Sequence, residues 1–154
     1  MSATGAASAS ASRLRALANL ARSPADLWLA ARTVAWMCAL PLLKRMLPLP
    51  KLVRLMWRSP RAERSFEREQ RTIQIVARLS RTAGGNCLER SLILYRYLSR
   101  ANAEPRLVIG MARPDEYLGH VWVTVDGQPL LETSETLRAY EVVTAFDDEG
   151  RRAE

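Results

Sequence analysis

Apolar residues recur at helical spacing through the first half of the chain and alternate in short runs through much of the second. Arg13 to Arg22 reads as a short helix. Ser23-Pro24-Ala25-Asp26 is a helix start: a serine cap, a proline at the first helical position and an acid in the first turn. That helix is predicted to reach about Leu40, because Pro41 disfavours helical geometry in the residue before it. Lys51 to Arg58 is a short basic amphipathic stretch between Pro50 and Ser59-Pro60. Residues 61–82 carry Phe66, Ile73, Val76 and Leu79 in partly helical spacing and predict another helix.

The texture changes after Ala83-Gly84-Gly85, a predicted loop. Asn86-Cys87-Leu88-Glu89 offers a cap and an acid three residues on, so a helix is predicted from about Cys87 to Ala101. Three strand-like runs follow Glu104-Pro105: Arg106 to Met111, Gly119 to Val125 and Gln128 to Thr133. Asp126-Gly127 marks a hairpin between the last two. The expected organisation is a disordered tail over 1–12, a helical basic region over 13–62, a core over 63–145 and a flexible charged tail over 146–154. The fold class this implies is α+β.

Composition narrows the chemistry. The 154 residues are 48% hydrophobic and 25% charged, a globular balance. Aromatic residues make up 6%, too few for a wide base-stacking platform, so nucleic acid is not an expected partner. One histidine and two cysteines cannot close an all-His/Cys zinc site, and no metal is expected. Two cysteines do not make a disulfide scaffold, and reducing cytoplasm is the expected compartment. Charge is uneven: the first 62 residues hold ten Lys and Arg against Asp26 alone and carry +9, while the remainder carries −2, for a total of +7. The run Thr33 to Leu43 is about half the ~20 residues a membrane-spanning helix needs. No spanning segment or export signal is expected. Shallow membrane-surface contact stays open, with Lys44 to Arg58 as its best segment.

Cys87 stands at a helix start, where unpaired N–H groups and the positive dipole end suit a nucleophilic sulfur, and Arg81 and Arg90 lie close in sequence. Taken alone it reads more readily as a buried structural cysteine, since free Cys is among the most buried residue types. His120, at the start of a strand, is the one imidazole available as its base. The acid that would orient His120 depends on hairpin register. A three-residue loop, Val125-Asp126-Gly127, pairs His120 with Glu132 and puts both on one face. A two-residue Asp126-Gly127 loop pairs His120 with Thr133 and turns Glu132 away. Asp126 is the alternative orienting acid, with turn formation as its competing role. Trp122 shares the face of His120 and either walls the site or fills the core. The Cys87 N–H is the first oxyanion donor, and Asn86 is a candidate for the second.

Helix-start Cys, strand His and an acid on the next strand is the order of papain-like and transglutaminase-like cysteine enzymes. Asn86-Cys87-Leu88-Glu89-Arg90-Ser91-Leu92, Arg106-Leu107-Val108-Ile109-Gly110, Gly119-His120-Val121-Trp122-Val123 and Val125-Asp126-Gly127 resemble one branch, the lasso-peptide leader peptidases. The resemblance covers roughly residues 65–135. It implies a papain/transglutaminase-like core in which Cys87 is nucleophile, His120 base and Glu132 the acid, where the family usually has Asp. It implies removal of the leader from a ribosomally made precursor, freeing the core amine for ring closure by a separate cyclase, with no cofactor. Residues 13–82 show no strands for a fused recognition domain, so a separate small leader-recognition protein is the expected partner. A transglutaminase-like acyltransferase and a non-catalytic adaptor holding precursor, recognition protein and cyclase are the alternatives.

Overall fold

The structure is a computed structural model that describes residues 23–61, 63–83, 86–112 and 118–153. The tail over 1–12 and the short helix over 13–22 lie outside the described residues. Helix α1 spans Pro24–Met46, with the Ser23 hydroxyl accepting from Asp26 N–H at 3.3 Å. It does not stop at Leu40. Pro41 lies inside it and faces solvent, so water can serve the carbonyl that its missing N–H leaves free, while Leu40 is held in the core. Helix α2 covers Leu49–Met56 and α3 covers Phe66–Ala83, starting later than the apolar spacing suggests. Helix α4 covers Cys87–Arg100, and Asn86 and Glu89 form the expected reciprocal cap.

The sheet is antiparallel, with strands in the order β3-β2-β1-β4-β5. They are β1 Arg106–Ala112, β2 Gly119–Val125, β3 Gln128–Leu130, β4 Tyr140–Phe146 and β5 Arg152–Ala153. A one-turn helix α5, Ser134–Leu137, separates β3 from β4. The predicted third strand is thus cut short at Leu130, and β4 and β5 are additions to the three runs read from sequence. The described residues 146–153 are not a loose tail: Phe146 is buried and Arg152 pairs with it across the β4–β5 ladder.

Helix α4 is the axis of the molecule. Every residue from Ser91 to Ser99 is buried. Leu92, Ile93, Leu94 and Leu98 pack with Leu107, Val121, Val123 and Phe146 of one sheet face. Leu40 of α1 and Leu52, Val53 and Met56 of α2 enter the same cluster. The described part of the helical basic region, residues 23–61, therefore contributes to the core rather than forming a unit that precedes it. Most buried polar groups of α4 are satisfied, as burial demands, the Tyr97 hydroxyl being the exception among its described residues. Ser91 donates to the Val121 carbonyl at 2.8 Å and Tyr95 to the Asp147 carbonyl at 2.7 Å. Arg96 lies over the Trp36 ring at 4.4 Å and donates to the Leu55 carbonyl at 3.2 Å. Burial pushes its guanidinium down to about 10.

Candidate active site

The β2–β3 hairpin sets the first constraint. Val125 pairs with Gln128, so the loop is the two-residue Asp126-Gly127 turn. Both residues are left-handed, with φ of 51° and 76°, as a primed hairpin turn requires. The three-residue register is overturned, because the primed turn matches the strand twist without a bulge. Extended regularly, this register would set His120 opposite Thr133. It does not extend. Leu131 has φ of 62°, the strand ends, and the chain is turned so that Glu132 swings toward β2. Glu132 Oε1 comes within 3.2 Å of His120 Nε2. The contact lies off the ring N–H direction, and Nε2 is buried with no hydrogen-bond partner among the described residues.

His120 sits on the sheet face opposite Val121 and Val123, in a sandwich of rings. Trp122 lies 6.0 Å away between centroids and Tyr140 lies 5.0 Å away, both near parallel. Trp122 is buried, so it both borders the imidazole and fills the sheet. Gly110 is the register partner of His120. A Cβ there would meet the Trp122 ring at 2.9 Å and Tyr140 Cβ at 3.0 Å. The glycine is required for the rings to close around His120.

Helix α4 supplies the sulfur. Cys87 is its first residue, half-buried and a free thiol. Asn86 Oδ1 accepts from Glu89 N–H at 2.9 Å and the Glu89 carboxylate faces the Asn86 N–H at 3.4 Å, which fixes the start of the helix. Lys44 of α1 holds Glu89 at 2.5 Å. Three and four residues beyond Cys87, on the same helix face, Arg90 bonds Glu132 and Ser91 bonds the Val121 carbonyl beside His120. These two bonds bring the helix start and the start of β2 to one end of the molecule. No hydrogen bond joins the Cys87 sulfur to His120 among the described contacts. Nucleophile–base bonds of this kind often tighten only when substrate is bound.

The remaining sequence candidates divide. Asp126 is not at the site: it caps the far tip of the hairpin, held by Arg64 Nη2 at 2.5 Å, and this hydrogen bond keeps its carboxyl below the ordinary range. Arg81 turns back to the Ala77 carbonyl of its own helix at 3.3 Å. Two contributors are absent from the sequence reading. Tyr140 belongs to β4, whose Tyr-Glu-Val-Val-Thr-Ala-Phe composition is rich in β-branched and aromatic residues and was a usable strand signal. The bond from Arg90 to Glu132 spans 42 positions, and no local pattern announces it. Among the described residues, no cluster of His, Cys, Asp and Glu could hold a metal ion.

A model of the transglutaminase-like superfamily matches residues 30–145, from the first turns of α1 to the end of β4. No curated protein matches, and no solved structure matches. The matched span takes in the helix-start cysteine, the His120 strand and the acid beyond the hairpin. That superfamily includes both cysteine peptidases and acyltransferases. By this match over most of its length, the chain belongs to the transglutaminase-like superfamily.

Proposed function

We propose that the protein is a cysteine peptidase that removes the leader from a ribosomally synthesised lasso-peptide precursor. The observation that carries a catalytic role is the sharing of Glu132 between His120 and Arg90, the latter one turn from Cys87 on the same helix. The choice of substrate rests on the resemblance of the segments around Cys87, Leu107, His120 and Gly127.

In this reading the Cys87 thiolate attacks the carbonyl at the leader–core junction. The tetrahedral oxyanion is met by the Cys87 N–H at the helix start. Asn86 uses its side-chain carbonyl for the cap, which leaves its amide nitrogen as the second donor. His120, protonated by the thiol, gives that proton to the departing core amine as the C–N bond breaks. It then takes a proton from water, which attacks the thioester, releases the leader acid and restores the thiol. Glu132 holds the imidazole orientation throughout. The freed amine is the substrate of a separate cyclase, and a small recognition protein delivers the leader in the cytoplasm. No cofactor enters the scheme.

The test is incubation of the precursor and its leader-binding protein with wild type and with Cys87→Ala, with products read by mass spectrometry. Free leader acid and free core peptide, seen only with Cys87 intact, are expected. A leader joined to an added amine instead would identify an acyltransferase. Intact precursor with both proteins, despite demonstrated binding, would identify an adaptor.

A further inference from the structure

Helix α1 is apolar on both sides. Its inward side packs Leu29, Trp36, Met37, Leu40 and Leu43 on the core and also carries its ionic and hydroxyl groups: Asp26 pairs with Arg71 at 2.8 Å, Lys44 with Glu89 at 2.5 Å, and Thr33 donates to the Leu29 carbonyl at 2.8 Å. Its outward side carries Leu27, Trp28, Val34, Cys38, Leu42 and Met46, all exposed. At the helical repeat these six fall within roughly a third of the circumference. Trp28 is 66% exposed and Met46 70%. Arg45 is the single charged residue in that arc. A surface helix of a globular protein ordinarily shows charged and polar residues on this outward side. An apolar face of this length is a contact surface.

The chemistry of its occupant follows from what surrounds it. Between Pro24 and Arg61 the only acid is Asp26, and it is turned inward. The exposed charges of that stretch, Arg45, Lys51, Arg54, Arg58 and Arg61, are all positive. Protein interfaces carry about one hydrogen bond per 100–200 Å². The outward face of α1 offers almost no group to make one, and lipid needs none. By length and composition α1 could cross a bilayer. Its inward ion pairs and the Trp36–Arg96 contact instead hold it lengthwise against the domain. Within Lys44 to Arg58, the segment singled out from sequence, Leu52, Val53 and Met56 are spent on the core, which leaves Met46 and the cations to face outward.

We propose that α1 lies in the plane of an anionic membrane, with its Leu27–Met46 face in the boundary between headgroups and acyl chains and the neighbouring cations on the lipid charge. This is independent of the peptidase reading.

The test is flotation of the full chain with phosphatidylcholine vesicles containing about one-third phosphatidylglycerol. Binding is expected, weakened by salt and by omitting the anionic lipid. Val34→Glu with Leu42→Glu, both at exposed positions, is expected to lower binding roughly tenfold or more with an unchanged thermal melt. If that double variant fails to fold, quenching by brominated lipid in the wild type decides: quenching that Trp28→Phe removes supports the proposal, and its absence overturns it. No flotation, or flotation indifferent to the folded double variant, overturns it as well. So does a dimer that the double variant dissolves in a protein that ignores vesicles, which would assign the face to a second copy of the chain.

Discussion

His120 and Glu132 meet, with Nε2 3.2 Å from Oε1, although the hairpin that carries them does not pair them. The strand ladder stops at Leu130, and one left-handed residue, Leu131, redirects the chain. Arg90, bound to the same Oε1, ties this acid to the helix that begins with Cys87. The approach is therefore fixed from two sides: by a backbone turn on the sheet and by a cation on the helix.

Glu132→Gln keeps an acceptor for Arg90 but removes the charge that faces His120. The protein should remain folded, and turnover of the precursor should fall on the order of a hundredfold or more, as when the orienting acid of a triad is neutralised. Asp126→Asn should leave turnover unchanged, because Asp126 is bound to Arg64 at the hairpin tip. Steady-state cleavage of both variants checks the assignment. The reverse ranking would give the orienting role to Asp126.

Leu131 holds φ of 62°, where a Cβ costs about 1–2 kcal/mol. Leu131→Gly should relieve that cost and keep turnover close to wild type. Leu131→Val places a β-branched residue in the same region and should be less stable by at least about 1 kcal/mol, with Glu132 displaced and turnover reduced. Urea denaturation together with cleavage rates reads both effects. Full activity in a normally stable Leu131→Val protein would mean that this turn does not aim Glu132.

Much of this was legible in local pattern. The cap at Asn86, the strands at Arg106 and Gly119 and the turn at Asp126-Gly127 all rest on interactions between residues close in sequence, and each appears as read. What escaped depends on contacts distant in sequence. Pro41 is absorbed because its side of α1 faces solvent while Leu40 is anchored by the core. The stretch from Phe146 to Arg152 looks like a charged tail until Phe146 closes β4 and Arg152 pairs with it. The approach of Glu132 to His120 was expected from a register that the turn does not adopt. A single positive φ at a leucine produces the contact by another route, and propensity does not foresee it.

Gly110 pairs with His120 across β1 and β2, and the Trp122 and Tyr140 side chains occupy the space above it. Gly110→Ala would place a methyl 2.9 Å from the Trp122 ring and 3.0 Å from Tyr140 Cβ. Neither neighbour is the far end of a flexible chain, so the rings must move. A loss of about 1–3 kcal/mol is expected from overpacking. Because the same rings flank His120, turnover should fall in the fraction that stays folded. Thermal melting gives the first effect, and rate per folded molecule gives the second.

Asp147 supplies the test in acid. It closes the β4–β5 turn, and its carbonyl accepts from the Tyr95 hydroxyl of α4. Partial burial pushes its carboxyl up. The Arg151 N–H at 2.8 Å, the Arg151 guanidinium at 3.2 Å and the Glu149 N–H at 3.0 Å outweigh that and hold it below the ordinary value of 3.8. A carboxyl lowered by folding stabilises the native state above its unfolded value, and that contribution is lost as pH falls through the folded value. Asp147→Asn should therefore be less stable than wild type at neutral pH, by less than about 1 kcal/mol because the charge pair is screened. The gap should close on acidification, as wild type loses what the variant never had. Urea denaturation of both proteins from about pH 7 to about pH 3 measures it. A gap that stays constant over that range would place the effect of Asp147 in its neutral hydrogen bonds rather than in its charge.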